Sequence, residues 1–258
     1  MEDLKNTDVG IGILDIYSDA SLKRCIESVI RSDAAQSPSY IISNKKIKTS
    51  DVEFNKHITH QVSMAALRNH CVAHFRSMGV KYIFLLNSNV TITDPDFVKN
   101  TIKTAETFGT WFLTGNNETP TILDDDSGQS LEINNKLNTD FVFIRSGVAG
   151  TLGYFDERYV NTKDLDVLDY INTARKNGMY PKHPFHTTVG RVATYEKEKI
   201  ERIDHSDTLD VENRSVGFSY GYFKHRWNYI PDMEETETIS KEDLMVFMGD
   251  LQKNYGKS

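Results

Sequence analysis

The sequence predicts an α/β protein, a Rossmann-like βαβ sheet flanked by helices, forming one domain with a C-terminal helical extension. Three observations predict it. Short β-rich runs alternate with longer segments whose apolar residues recur at helical spacing. The run Tyr82-Ile83-Phe84-Leu85-Leu86 is apolar without a break, as in a parallel strand covered on both faces. A chain of 258 residues is also long enough to bury the core of one large domain.

The first strand is Val9-Gly10-Ile11-Gly12-Ile13-Leu14, which meets no turn chemistry before Asp15. Ser18, Asp19 and Ser21 are capping candidates for the next helix, where Leu22, Cys25, Ile26, Val29 and Ile30 share one apolar face. Tyr40-Ile41-Ile42 is a short second strand ending in Ser43-Asn44. Met64, Leu67, Cys71, Phe75 and Met78 mark a second helix, with Gly79 as its stop. After the Tyr82–Leu86 strand, Asp94-Pro95-Asp96 opens a third helix with Phe97, Val98, Thr101, Ile102 and Ala105 inward, Asp capping and Pro in the first turn. Trp111–Thr114 and Phe141–Ile144 are strand candidates, separated by a polar loop whose Asp124-Asp125-Asp126 run reads as a solvated turn. A helix from Asp164 to Asn177 turns Leu165, Leu168 and Ile171 inward and stops at Gly178, and a late amphipathic helix carries Leu244, Phe247, Met248 and Leu251. The expected division is a domain over residues 1–200 and an extension over 201–258 docking on it.

The net charge of −7 argues against a general positive field for nucleic acid. No run approaches the roughly 18–20 apolar residues of a membrane span. The polar, acidic start MEDLKNTDVGIGILDIY lacks the basic-then-apolar order of a signal peptide. Cys25 and Cys71 lie on helical apolar faces without ligand spacing, so they read as reduced core thiols, and the expected compartment is cytoplasmic.

Ligands of such sheets bind beyond the carboxyl ends of the strands, which singles out Asp15–Asp19, Asn44–Lys46 and Asn87–Asn89. Three stretches then carry a resemblance. Leu22-Lys23-Arg24-Cys25-Ile26-Glu27-Ser28-Val29 follows the first strand and its loop. Ala66-Leu67-Arg68-Asn69 precedes Lys81–Val90 and Asp94-Pro95-Asp96-Phe97. Gly153-Tyr154-Phe155-Asp156-Glu157-Arg158-Tyr159 precedes Lys163-Asp164-Leu165-Asp166. In order and spacing these resemble the inverting family 2 glycosyltransferases and their GT-A relatives over about the first 180 residues.

The resemblance implies a GT-A fold and transfer of a sugar from a nucleotide diphosphate sugar to an acceptor hydroxyl with inversion, one carboxylate acting as base. It implies Asp164 as that base, with Asp166 as the second candidate. It implies Asp15, Asn44, Arg68, Asn87 and Asn89 on the donor, Arg68 either binding phosphate or helping to orient the Asn87 loop. It places His205, with His183 and His186 as rivals, near the diphosphate, and leaves Lys224, Arg226 and Trp227 either to acceptor and diphosphate or to docking of the extension. The family's Asp-x-Asp motif, which holds a divalent cation, here reads Asn87-Ser88-Asn89, the base-proximal Asp reads Asn44, and the acidic pair reads Lys163-Asp164. Neutral amides suit a hard cation poorly, so no metal ligands are assigned and Mn or Mg is not expected to be strongly required. The acceptor classes are a glycan and a hydroxymethylated base in phage DNA. The competing class is a non-catalytic GT-A-like binding or assembly module. A nucleotidyltransferase would want a Gly-rich basic loop after the first strand, which Asp15-Ile16-Tyr17-Ser18-Asp19 lacks.

Overall fold

The computed structural model describes residues 5–43, 55–58, 63–115, 121–124, 130–134, 137–159, 164–181, 186–188, 193–195, 209–229, 242, 245–247 and 249–250. Its strands are β1 (Val9–Asp15), β2 (Ser39–Ser43), β3 (Asn55–Ile58), β4 (Tyr82–Asn87), β5 (Val90–Ile92), β6 (Phe112–Thr114), β7 (Thr121–Asp124), β8 (Ser130–Asn134), β9 (Phe141–Arg145), β10 (His186–Thr188) and β11 (Ala193–Tyr195). Its helices are α1 (Asp19–Ile30), α2 (Met64–Ser77), α3 (Phe97–Thr107), α4 (Ser146–Leu152), α5 (Leu165–Lys176) and α6 (Leu209–Trp227). Nine strands form one mixed sheet in the order β3-β2-β1-β4-β9-β6-β10-β8-β7, and β5 pairs with β11 in a separate ribbon. Among the described residues no helix is long and apolar enough to cross a membrane.

Strand periodicity divides the core into two layers. Ile83 and Leu85 of β4 face a cluster with Cys71 and Phe75 of α2 and Leu168 and Ile171 of α5. Phe84 and Leu86 face the opposite cluster, with Leu22, Cys25 and Ile26 of α1 and Phe97 and Ile102 of α3. The glycines of β1 set how closely α2 approaches the sheet: a Cβ on Gly10 would lie 2.4 Å from the Phe75 ring, and one on Gly12 would lie 2.9 Å from Cys71 Sγ. Both thiols are sealed in this packing. Burial, aided by the Asp15 charge, pushes Cys25 up to about 12, and burial alone pushes Cys71 up as well.

Local chemistry explains most boundaries. Ser18 caps α1 by accepting from Ser21 N, and Ser63 caps α2 by accepting from Ala66 N. Gly79 ends α2 at φ +75°, where Val80 N reaches back to Phe75 O at 3.1 Å. Met78 lies at that end, nearly half exposed, instead of on the core face. The start of α3 also departs from expectation. Pro95 precedes the helix, Asp96 makes no side-chain cap, and Asp33 from a distant 3-10 turn accepts from Val98 N and Lys99 N at 2.9 and 3.0 Å. In the second half, Asp124 ends β7 of an antiparallel hairpin, and Asp125 and Asp126 lie outside the described residues. Of the expected late helix, Phe247 is described; it is helical, fully buried and edge-on to Tyr180.

Candidate functional site

The register aligns the carboxyl ends of three strands. Asp15 sits opposite Ser43, and Leu14 opposite Asn87. Antiparallel β9 enters the sheet at that same end, since Leu86 faces Phe141. The Asn138–Asp140 turn ahead of β9 therefore lies against Asn87, a consequence of strand order that no local pattern announces. Asn87 N donates to Asp140 O at 2.8 Å, and Asn87 Nδ2 donates to Asp140 Oδ1 at 2.8 Å. Asp15 accepts from Ser43 Oγ at 2.6 Å, while Tyr17 N donates to Ser88 Oγ at 3.2 Å and clips the β1 loop to the β4 loop.

Asp15, Asn87 and Asn89 thus stand at the strand ends, as the sequence predicts, but not as open crevice residues. Their exposures are 1, 1 and 3 %. Asn87 Oδ1 is buried without a hydrogen-bond partner, so one acceptor at this position goes unused in the folded chain. Asn44 lies outside the described residues, as do Lys163, His183 and His205.

Arg68 corrects the phosphate expectation alone. It is neither a surface residue nor open to a phosphate: it is fully buried and its Nη1 lies 2.5 Å from Asp166 Oδ2, with both side chains at zero exposure. Asp166 is correspondingly not a base facing the cleft. Burial pushes its carboxyl up from the ordinary value, opposed by the Arg68 charge and hydrogen bond. The neighbouring Asn69 makes a second clamp. Its Nδ2 donates to Phe155 O and its Oδ1 accepts from Phe155 N, both at 2.9 Å, and Nδ2 also meets Glu157 Oε1 at 2.8 Å. The Arg68-Asn69 pair of α2 therefore holds both later motifs, the Gly153–Glu157 loop and the start of α5.

Asp164 is the half-buried residue at the α5 N-terminus, and its side chain caps no backbone N–H. Its Oδ1 accepts instead from the Thr139 hydroxyl. The candidate base thereby joins the turn that holds Asn87, and two residues of one turn touch the donor side and the base side together. Thr139 and Asp140 went unmarked in the sequence because between Asp126 and Phe141 the alternation stops at Asn134, and the turn beyond it has no period of its own. The one available signal was a run of polar residues immediately ahead of a fully apolar strand.

The aromatic and basic residues of α6 are drawn elsewhere. Trp227 Nε1 donates to Asp169 Oδ1 at 2.7 Å, Arg226 meets Asp156 at 2.9 Å and Asp169 at 3.2 Å, and Tyr222 donates to Asp156 at 3.1 Å. The Arg158 guanidinium lies over the Tyr222 ring at 4.5 Å. Burial raises the Asp156 carboxyl, but the hydrogen bonds of Arg158 and Tyr222 prevail and hold it below its ordinary value. Arg226 and Trp227 accordingly form the seam that docks α6 on α5, whereas Lys224 is exposed. His186 is buried in β10, and burial with the Arg175 charge holds its imidazole well below the usual range, so it stays neutral inside the sheet.

Two cavities are lined by residues other than those at the strand ends. One of about 490 Å³ runs beside α2 between His70 and Tyr154, and one of about 420 Å³ is lined by Arg175, Lys176, Trp227 and Tyr229. The strand ends remain the better candidate, because sheet topology, the unused Asn87 acceptor and Asp164 meet there. The donor set at that position does not fit a resident hard cation. It offers amide and hydroxyl oxygens around carboxylates already hydrogen-bonded, and no group of three or more Asp, Glu, His or Cys able to hold a metal gathers among the described residues.

No protein-family model matches the sequence, and no curated protein matches it. Among solved structures, the mannosyltransferase PcManGT from Pyrobaculum calidifontis, in complex with GDP-Man and Mn²⁺, superposes with a TM-score of 0.52. The match covers 96 % of this chain and 69 % of that one at 7 % identity. GalNAc-T7, in complex with UDP, GalNAc and Mn²⁺, gives a TM-score of 0.53 at 11 % identity. That match covers 98 % of this chain and 55 % of the other, so this chain spans about half of that protein's length. The shared property is the fold, which is that of the GT-A glycosyltransferases.

Proposed function

We propose that this chain transfers a sugar from a nucleotide diphosphate sugar to an acceptor hydroxyl with inversion. The observation that carries the reading is the meeting, at the carboxyl ends of β1, β2 and β4, of Asn87 with the turn that holds Asp164. The acceptor oxygen attacks the anomeric carbon as the bond from that carbon to the diphosphate breaks. Asp164 takes the hydroxyl proton, and the diphosphate leaves with the bonding pair. Asn87 and Asn89 contribute neutral polar contacts to the donor, Asp15 lines the same end, and the acceptor is a glycan or a hydroxymethylated base in DNA.

Screening nucleotide sugars by thermal shift tests the reading. A donor that binds the native state alone raises stability by about 2.7 kcal/mol at 100 times its Kd. The expected result is one nucleotide class that shifts the melting temperature, followed by turnover with that donor. Absence of a shift across UDP, GDP, CDP and dTDP sugars would overturn it. A second reading, a non-catalytic binding module, is favoured by the near-complete burial of Asp15, Asn87 and Asn89. Donor binding without turnover for any acceptor would establish that one.

Divalent cations are expected to matter little. Donor binding and turnover should persist in EDTA within about twofold of their values in Mn²⁺, because amide oxygens are poor substitutes for the charged oxygens that hard cations prefer. Turnover abolished by EDTA and restored by Mn²⁺ would refute this.

A further inference from the structure

We propose that Thr139 is the positioning residue of this site, holding the Asp164 carboxylate in place from the turn that also anchors Asn87; the inference rests on the reading of Asp164 as the base. Thr139 is 1 % exposed. A threonine hydroxyl has one proton to donate, and here it goes to Asp164 Oδ1. A part-buried, charge-assisted hydrogen bond of this kind fixes the rotation of the carboxylate and favours its ionised form, both of which a general base requires. The α5 backbone alone does not fix that orientation, because the Asp164 side chain makes no bond to the helix N-terminus.

The turn that carries Thr139 is itself held by three hydrogen bonds. Arg68 Nη2 donates to Thr139 O at 3.4 Å, Gly115 N donates to Asn138 O at 3.1 Å, and Asn138 Oδ1 accepts from Asp140 N at 3.0 Å. Asp140 in turn binds the Asn87 amide. A displacement of the turn would therefore move the base and the donor-side amide together. Among the described residues, the Asp164 charge acts on Asp166 of α5, which is paired with Arg68 of α2, and Asp140 follows Thr139 on the turn.

The test compares Thr139→Val, which keeps the side-chain shape and removes the hydroxyl, with Thr139→Ser, which keeps the hydroxyl. With the donor identified by thermal shift, Thr139→Val is expected to lower kcat by on the order of 10-fold to 100-fold, the worth of a hydrogen bond to a charged group. The donor KM should stay within about twofold, and the acid limb of the kcat profile should move to higher pH, because a carboxylate that loses a donor binds its proton more tightly. Thr139→Ser should restore most of both. A Val variant with the parent's kcat and acid limb would overturn the proposal, and so would a Ser variant as impaired as Val. Titration of the Asp164 carboxyl by carbon-13 NMR in parent and Thr139→Val judges the contact without turnover. A higher midpoint in Val supports it, and an unchanged midpoint overturns it. A parent with no turnover but with the titration shift would refute the transferase reading while leaving the Thr139 contact established.

Discussion

Asp164→Asn is expected to slow sugar transfer by a factor on the order of 10²–10⁴, the usual contribution of a positioned base, while leaving donor affinity within about twofold. The substitution is close to isosteric. Its carbonyl oxygen can still accept from the Thr139 hydroxyl, so the turn and the start of α5 should keep their arrangement. Only the capacity to take the proton of the attacking hydroxyl is lost. The donor contacts lie on β1, β2 and β4, on chain that precedes Asp164 by about 75 residues or more, and should not register the change. Steady-state kinetics with saturating donor, alongside donor binding by calorimetry, checks both halves. Turnover within about threefold of the parent would remove Asp164 from the chemistry, since that lies far below the range for a base. Asp166 could not inherit the role from where it stands, because it has no exposed atom and is bound to Arg68.

Arg68→Met should be the most damaging single change to stability. It leaves the Asp166 carboxylate in a dry interior without its partner, and removing one member of a buried pair costs about 3–5 kcal/mol. At about 2–4 °C per kcal/mol for a domain of this size class, the melting temperature should fall by about 6–20 °C. Adding Asp166→Leu should recover much of that loss, because an apolar pair of similar volume can match a buried ion pair. A calorimetric or denaturant cycle on the two single variants and the double measures the coupling. Additive losses would show that the pair does not act as a unit, which its 2.5 Å contact at zero exposure opposes.

Much of the first half was legible residue by residue. The apolar faces of α1, α2, α3 and α5, the buried strand β4, and the stops at Gly79 and Gly178 follow from local periodicity and from the φ values glycine reaches at low cost. The second half was less legible because its elements are short and its sheet is mixed. β7, β8, β10 and β11 are three to five residues long, too short for a period to show. The α6 helix crowds aromatics at Tyr220, Tyr222, Phe223 and Trp227, which blurs a single face; of these Phe223 alone is fully buried, and Tyr222 and Trp227 are spent on Asp156 and Asp169.

By itself, the sequence determined the alternation of strand and helix, hence the strand-end location of Asp15, Asn87 and Asn89, and the placement of Asp164 at the head of a helix. Those are local properties, set within a few turns of the chain. Tertiary structure alone decided what the motif residues touch. It pairs Arg68 with Asp166 across 98 residues of sequence, ties Asn69 to Phe155, and brings Thr139 and Asp140 to the site. The physical reason is strand order. Because β9 inserts antiparallel between β4 and β6, the residues ahead of it arrive at the carboxyl end of β4. Side chains buried there draw their hydrogen-bond partners largely from one another, and which ones meet depends on that insertion and not on any pattern within a segment.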